Sequence, residues 1–437
     1  MKQFLLLWFL SVSFCASAQS ITTIAGTGIS GYSGDGNLAT LARMKQPGFI
    51  AIDRYNNVYF GDAYNNVVRK VTPLGYITTI AGTGIEGYSG DGGLAINAQF
   101  FGPSGVAVDQ DDNVFVADCL NMVIRKIAPF GVVTTIAGTG VAGYTGDGGP
   151  AVSAKLNRPY ALAIDTNGNL FFSDAGNYSV RKIDASGIIS TIAGCGIFGD
   201  SGEGGPATNA HLKWPGQLAF HPKTGELFFP VDANKKVMKV DASGIISTVA
   251  GSGIIGNDGD GGPATAAKMK GPNSICFDTA GNLFISDGFS HVIRKVDTGG
   301  IISTIVGTGV GGYNGDGDLL TTRQLNGPNI GPFDKWGNLY ISDCYNSRVR
   351  KINYNPTTVQ DVPYRLSNVR IYPNPAASEV TIVADVVISS LTIKNLLGQE
   401  VLTQHPGKKE VTLNIETLPA GVYSITTNGS FAGRVVK

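Results

Sequence analysis

The stretch that decides the fold is GVAVDQDDNVFVADCLNMVIRKIAPFGVVTTIAG, Gly105 to Gly138. Four short runs rich in β-branched and aromatic residues lie inside it: GVAVD, NVFVAD, VIRKI and VVTTIAG. Gly, Asn, Asp and Pro mark the breaks between them, where the chain must reverse. These read as four short antiparallel strands. The unit recurs. TIAG begins at Thr23, Thr79, Thr135 and Thr191, then returns as TVAG at Thr248 and TIVG at Thr304, in steps of 56, 56, 56, 57 and 56 residues. A second marker, Asp ahead of a polar turn and a basic strand, falls at Asp62, Asp118, Asp174, Asp232, Asp287 and Asp343. Four strands repeated six times predict an all-β fold, a β-propeller with six blades.

The ends of the repeat support this reading. ITTIAG at Ile21 is a fourth strand with no first three before it, and the last unit stops at RVRKI, Arg348 to Ile352. The first strand is expected to complete the last blade, closing the ring and removing two open sheet edges.

Composition bounds the rest. The 437-residue chain has no formal net charge, so no overall field draws it to nucleic acid or an anionic membrane. Its 60 glycines suit many tight turns. MKQFLLLWFLSVSFCASA, residues 1–18, has the charge, apolar run and small-residue site of a secretory signal peptide. No later segment is apolar enough to be transmembrane. Cys119, Cys195, Cys276 and Cys344 form no CxxC pair and are expected as free thiols.

Two resemblances follow from these residues. AVDQDDNVFVADCLNMVIRKI and AIDTNGNLFFSDAGNYSVRKI resemble NHL repeats, over Ser20 to about Asn353. The fourth unit departs: PVDANKKVMKV lacks the Arg and reads as a turn one residue short. In the fifth, Ser290-His291 replaces the usual Asn. After Thr357 the repeat ends. YPNPAASEVTI (Tyr372 to Ile382), NLLGQEV (Asn395 to Val401) and LPAGVYSI (Leu418 to Ile425) resemble the C-terminal sorting domain (type A) of type IX secretion, a small Ig-like β-sandwich. The expected organisation is a signal peptide at 1–18, a propeller at 19–356, a linker at 357–366 and a sorting domain at 367–437. The second resemblance implies export past a Gram-negative outer membrane, secreted or attached to the surface, with the secretion machinery as one partner.

Strand directions place the GYSGDGG-type loops and the Asp-xx-Asn turns on one face of the disc, and the VDxxGN turns on the other. The loops carry Asp35, Asp91, Asp147, Glu203, Asp260 and Asp316, with Tyr32, Tyr88, Tyr144 and Tyr313 beside them. One expectation is a ligand-binding rim around a pore mouth, since carboxylates accept hydrogen bonds from hydroxyls and amines and tyrosines offer flat contact area. The other is scaffold, since a short acid among glycines can lock a turn. The turn residues Asp62, Asp118, Asp174, Asp232, Asp287 and Asp343, with Arg69, Arg125, Arg181, Arg294 and Arg350, are expected to form a blade-locking polar network.

No catalytic constellation or metal-ligand set is legible. His211, His221 and His291 fall at unrelated repeat positions, and no HExxH, GxSxG or phosphate-cradling loop occurs. No cofactor is expected; Ca²⁺ at the loops is the one ion considered, and GYSGDGGPA supplies a single carboxylate toward it. The functional expectation is an exported binding module for a glycan, a peptide or a surface protein, without nucleic acid as partner. A lyase or hydrolase at the pore mouth is the first alternative, and a passive adhesive repeat the second. A working site should break the repeat, and the fourth and fifth units, with Asp200, Glu203, His211, Lys235, Lys236, Asn257 and Asp258, are where it does.

Overall fold

A computed structural model describes residues 19–353, 370–372, 378–395, 400–419, 421–427 and 430–437. The signal-peptide and linker expectations lie outside these residues. The chain divides into two compact units, Met1–Asn355 and Pro356–Lys437.

The first unit holds six sheets, each an antiparallel meander. Sheet two is typical. Its strands, Pro103–Val108, Val114–Asp118, Val123–Ile127 and Val133–Ala137, reproduce the four runs of the opening stretch within two residues at each end. In sheet four the first strand shrinks to Ala219–Phe220. The sixth sheet takes its fourth strand from the start of the unit: Ser20–Ala25 pairs antiparallel with Arg348–Asn353, Ile21 opposite Ile352. Gly317–Asp318 extends that sheet beyond it.

Alternation along each strand sends apolar side chains to both faces, so the cores lie between sheets rather than in one centre. Ala107 and Ile124 of sheet two share a core with Leu162, Phe172 and Ile189 of sheet three. Ala25, Tyr340 and Val349 of sheet six likewise pack with Ile50, Val58 and Phe60 of sheet one. The alanine runs after the GDG loops form single 3₁₀ turns such as Ala151–Ser153 and Ala207–Asn209, whose first alanines are buried. Their leading prolines precede the turn, and no side chain caps it.

The second unit is two sheets on one core. Arg370–Tyr372, Glu379–Ile388 and Lys408–Asn414 form the first, and Leu391–Lys394, Glu400–Gln404, Val422–Thr427 and Ser430–Val436 the second. Val380, Leu391, Leu413 and Ile425 meet between them.

Ile21 has no exposed surface and packs with Phe284, Ile341 and Ile352. Ile21→Ala should therefore cost about 2–5 kcal/mol in chemical unfolding of the intact chain. A loss under about 0.5 kcal/mol would show that the first strand does not hold sheet six together.

Candidate functional site

Each third strand, except in sheet four, carries an arginine with no exposed side-chain surface: Arg69, Arg125, Arg181, Arg294 and Arg350. A buried guanidinium must be neutralised, and each is reached from two sides. The loop acids Asp35, Asp91, Asp147, Asp260 and Asp316 accept from it at 2.9, 2.6, 2.6, 2.5 and 3.0 Å. In four sheets a fully buried turn acid stands behind it: Asp62, Asp118, Asp174 and Asp343 lie 3.3, 3.9, 3.5 and 3.4 Å away. In sheet five, buried Asp287 accepts instead from the backbone of Lys270 and Gly271.

The loop acid's second oxygen is also engaged. Asp91, Asp147 and Asp260 accept from the backbone N–H of Thr135, Thr191 and Thr304 on the outer strand. Asp316 does the same for Thr23, at 2.8 Å, and so fastens the first strand into sheet six. Partial burial pushes Asp91, Asp147 and Asp260 up. The paired threonine and arginine outweigh it and hold each below the usual carboxylate range. Tyr32, Tyr88 and Tyr144 bond through their hydroxyls to Thr79, Thr135 and Thr191. The rings of Tyr32, Tyr88, Tyr144 and Tyr313 lie within 5.1–5.4 Å of the buried guanidiniums. The loops therefore run outward to the third and fourth strands of the sheet that follows. Except in sheet four, each is anchored there by the arginine on the third strand.

The fourth sheet breaks the pattern twice. Met238 stands opposite Phe229 where Arg69 stands opposite Phe60. Val231 pairs with Lys236 where Asp62 pairs with Val67. The turn has lost no residue; its acid has moved one place on. Its 3₁₀ segment runs Asp232–Asn234 after Val231, whereas the first sheet's runs Ala63–Asn65 after Asp62. Asp232, expected in the blade-locking network, does not join it. Its salt bridge is with Lys235 at 3.4 Å. Glu203, one carbon longer than the other loop acids, accepts from Thr248 N at 2.9 Å and lies 3.8 Å from Lys236. Lys236 also meets Asp200 at 3.1 Å.

The displaced acid lines two cavities. The first residue of each turn is Ala63, Cys119, Ala175, Asp232, Gly288 or Cys344, one charge in six. The second is Tyr64, Leu120, Gly176, Ala233, Phe289 or Tyr345. Cavities of about 380, 320 and 210 Å³ open there, and Tyr160 lines all three. It sits second in the first strand of sheet three, where sheet four has only Gly216. Its ring meets Phe49 of sheet one edge-on at 4.9 Å, and it lines two of the cavities together with Asn273 of sheet five. Asn273 donates to Asn329 of sheet six at 2.7 Å. Tyr160 thus forms the floor of a cup. Asp232 lines two of the cavities, with Trp214 in one and Phe289 and Tyr345 in the other. None of the GDG-loop acids lines the cup.

The cup is a hydrogen-bonding site rather than a nucleophilic one. Burial pushes the Cys119 and Cys344 thiols up to about 11 and about 12, so both stay protonated. Burial also raises the Tyr160 phenol, leaving a neutral donor. Burial raises Asp232, against the pull of Lys235. His291 uses Nδ1 to accept from Gly327 N, and His221 packs on Phe228 and Phe277. Among the described residues no three His, Cys, Asp or Glu side chains converge as metal ligands.

Comparison with known proteins agrees with this architecture. Residues 370–436 match the family described as the secretion system C-terminal sorting domain. Residues 140–201 and 255–313 match the Teneurin NHL domain. Teneurin-3 of Mus musculus is 26% identical over 235 residues, 48% of this chain and 8% of its own length. Protein SUPPRESSOR OF QUENCHING 1, chloroplastic, of Arabidopsis thaliana is 27% identical over 340 residues, 74% of this chain and 31% of its own length. The chain thus spans under a third of either relative. An auxiliary nutrient binding protein from Bacteroides ovatus, solved by crystallography, superposes with a TM-score of 0.57 at 17% identity, over 77% of this chain and 76% of that one. The chain carries NHL-type propeller repeats followed by a C-terminal sorting domain of the type IX secretion system. That domain marks it for export. Among the described residues no helix is long and apolar enough to cross a membrane.

Two predictions follow from the arginine network. Met238→Arg alone places a guanidinium where no buried acid stands at 231, and should cost about 3–5 kcal/mol in denaturant unfolding. Adding Val231→Asp should recover at least about 1 kcal/mol; additive losses would mean that the pair is not coupled. The second concerns pH. Burial raises Asp118 to about 7, against the bonds from Asn121 and Phe101 N and the pull of Arg125. The folded chain then keeps a proton that the unfolded chain releases near pH ~4. Stability from this group is present below that pH and is lost as pH rises toward 7. Thermal melts of Asp118→Asn should be flatter than wild type between about pH 4 and 7, and an unchanged slope would refute the assignment.

Proposed function

We propose that this protein is a binding module working outside the cell through the cup on the face that carries the Asp turns. One observation carries the reading. Five sheets bury an arginine against a loop acid, and sheet four gives this up and presents a carboxylate to the mouth instead. A purely structural repeat has no use for that exchange. The cup adds what a ligand site needs: concavity, exposed aromatic rings and a few polar groups held by bonds of their own. The six sheets are taken as a closed ring, a reading supported by the pairing of Ser20–Ala25 with the last strand and by the core between sheets six and one. Fold likeness to an auxiliary nutrient binding protein is compatible with this reading, which rests on the cup's own side chains. The sorting domain supports delivery to the exterior by type IX secretion, either released or retained at the surface.

The test is a melting study of the intact exported chain against panels of oligosaccharides and peptides. A ligand at about a hundredfold over its Kd adds about 2.7 kcal/mol, a shift of several degrees or less for a domain of this size. The shift should vanish in Tyr345→Ala, at the mouth, and survive in Tyr144→Ala, on a loop. The reverse pattern would move binding to the loops.

A further inference from the structure

We infer that the cup takes a neutral sugar ring, held by Asp232 and Phe289 together; this rests on the binding reading above. The two side chains come from neighbouring sheets and meet across Gly271. A methyl group at Gly271 would lie 3.0 Å from Asp232 Oδ1 and would collide with the Phe289 ring. A carboxylate oxygen and an aromatic ring therefore stand side by side over bare backbone. Phe289 is 58% exposed and the Asp232 side chain 30%. Gly271 is itself fixed, since its N–H donates to buried Asp287 at 2.7 Å.

This pairing suits a pyranose. One face of such a ring is a patch of C–H groups that packs on an aromatic surface. Its edge carries adjacent hydroxyls that donate to a carboxylate. Asn273, Asn329 and the Tyr160 hydroxyl add neutral donors and acceptors at the floor. Charge argues against the other ligand classes. Lys235 already answers Asp232 at 3.4 Å, so an ammonium ligand would have to displace a tethered one. An anionic ligand would meet Asp232 itself. Asp232 and Phe289 share a lobe of about 210 Å³, and Asp232 with Trp214 lines a second of about 320 Å³ that has Tyr160 and Asn273 in common with it; the second alone falls within the range of small-ligand pockets, about 300–1,000 Å³. Trp214, 37% exposed, offers a second ring at its wall.

The experiment is titration calorimetry on the intact chain with cellohexaose, maltohexaose and mannohexaose, beside hexagalacturonate and a lysine-rich hexapeptide. At least one neutral hexaose should bind. Asp232→Asn should weaken it about 10- to 100-fold, the loss of one hydrogen bond to a charged acceptor. Phe289→Ala should weaken it comparably. Both side chains are partly exposed, so melting temperatures should hold. Asp147→Asn should lower the melting temperature and leave affinity unchanged. Peptide or uronate binding that Asp232→Asn abolishes would keep the cup and overturn the sugar. Sugar binding indifferent to both cup variants would overturn the cup as well. No heat from any neutral hexaose would also overturn the proposal.

Discussion

The structure depends on how five arginines are buried. Each guanidinium has no exposed surface and meets an acid from the loop that arrives from the sheet before; in four of the five sheets an acid from the turn of its own sheet stands on its other side. Burying such a cation without partners would cost several kcal/mol. With partners it becomes a fastening, because its acids belong to segments about 27 residues apart, as with Asp35 and Asp62. The loop acid spends its other oxygen on the outer strand, so one carboxylate ties loop, third strand and fourth strand. The glycines around it follow from this geometry. Gly146, at φ 103°, packs against Ala154, and a side chain there would strike that residue's backbone.

Sheet four shows that the network is a unit. Removing the arginine alone would leave a buried acid with hydrogen bonds but no cation, and removing the acid alone would leave half-answered charge. Both are gone together, replaced by Met238 and Val231, which fill the space with apolar volume. The loop acid lengthens to Glu203 and still reaches Thr248 N. Its other neighbour becomes Lys236, an exposed-end cation in place of a buried one. Because sheets pack only on their neighbours, this relaxation stays local.

Most of the fold was legible because a repeat reports its own constraints many times. The 56-residue period, the four runs per unit and the unpaired ITTIAG strand all found their places. The loop acids and tyrosines were legible as recurring features, but their direction was not. That depended on which strand holds the arginine's partners, a matter of three-dimensional reach. The fourth turn was misread for a countable reason. Asp62 precedes Arg69 by seven residues and Val231 precedes Met238 by seven, so PVDANKKVMKV carries a substitution, not a deletion. The extra residue of that unit lies in FHPKTGEL, on the opposite face, where Phe220 pairs with Leu227 while Ile164 pairs with Leu170. The cup was missed because its residues are the ones the repeat does not share. The two positions that follow each turn Asp carry that signal, and only the structure shows that they line one set of cavities.

A rotational repeat offers a ligand six equal walls, which suits few small molecules. Specific recognition needs the walls to differ while the scaffold behind them stays the same. The turn positions allow this, since each projects from a 3₁₀ segment whose backbone is set by the Asp or Val before it and the left-handed residue after it. Tyr64, Leu120, Phe289 and Tyr345 can vary without touching the arginines. A charge is harder to place there, because the turn's own acid is committed one residue earlier. Moving Asp to position 232 solves that problem only in a sheet whose arginine has gone. The loss of one buried ion pair and the gain of one carboxylate at the mouth are therefore two sides of a single one-residue displacement.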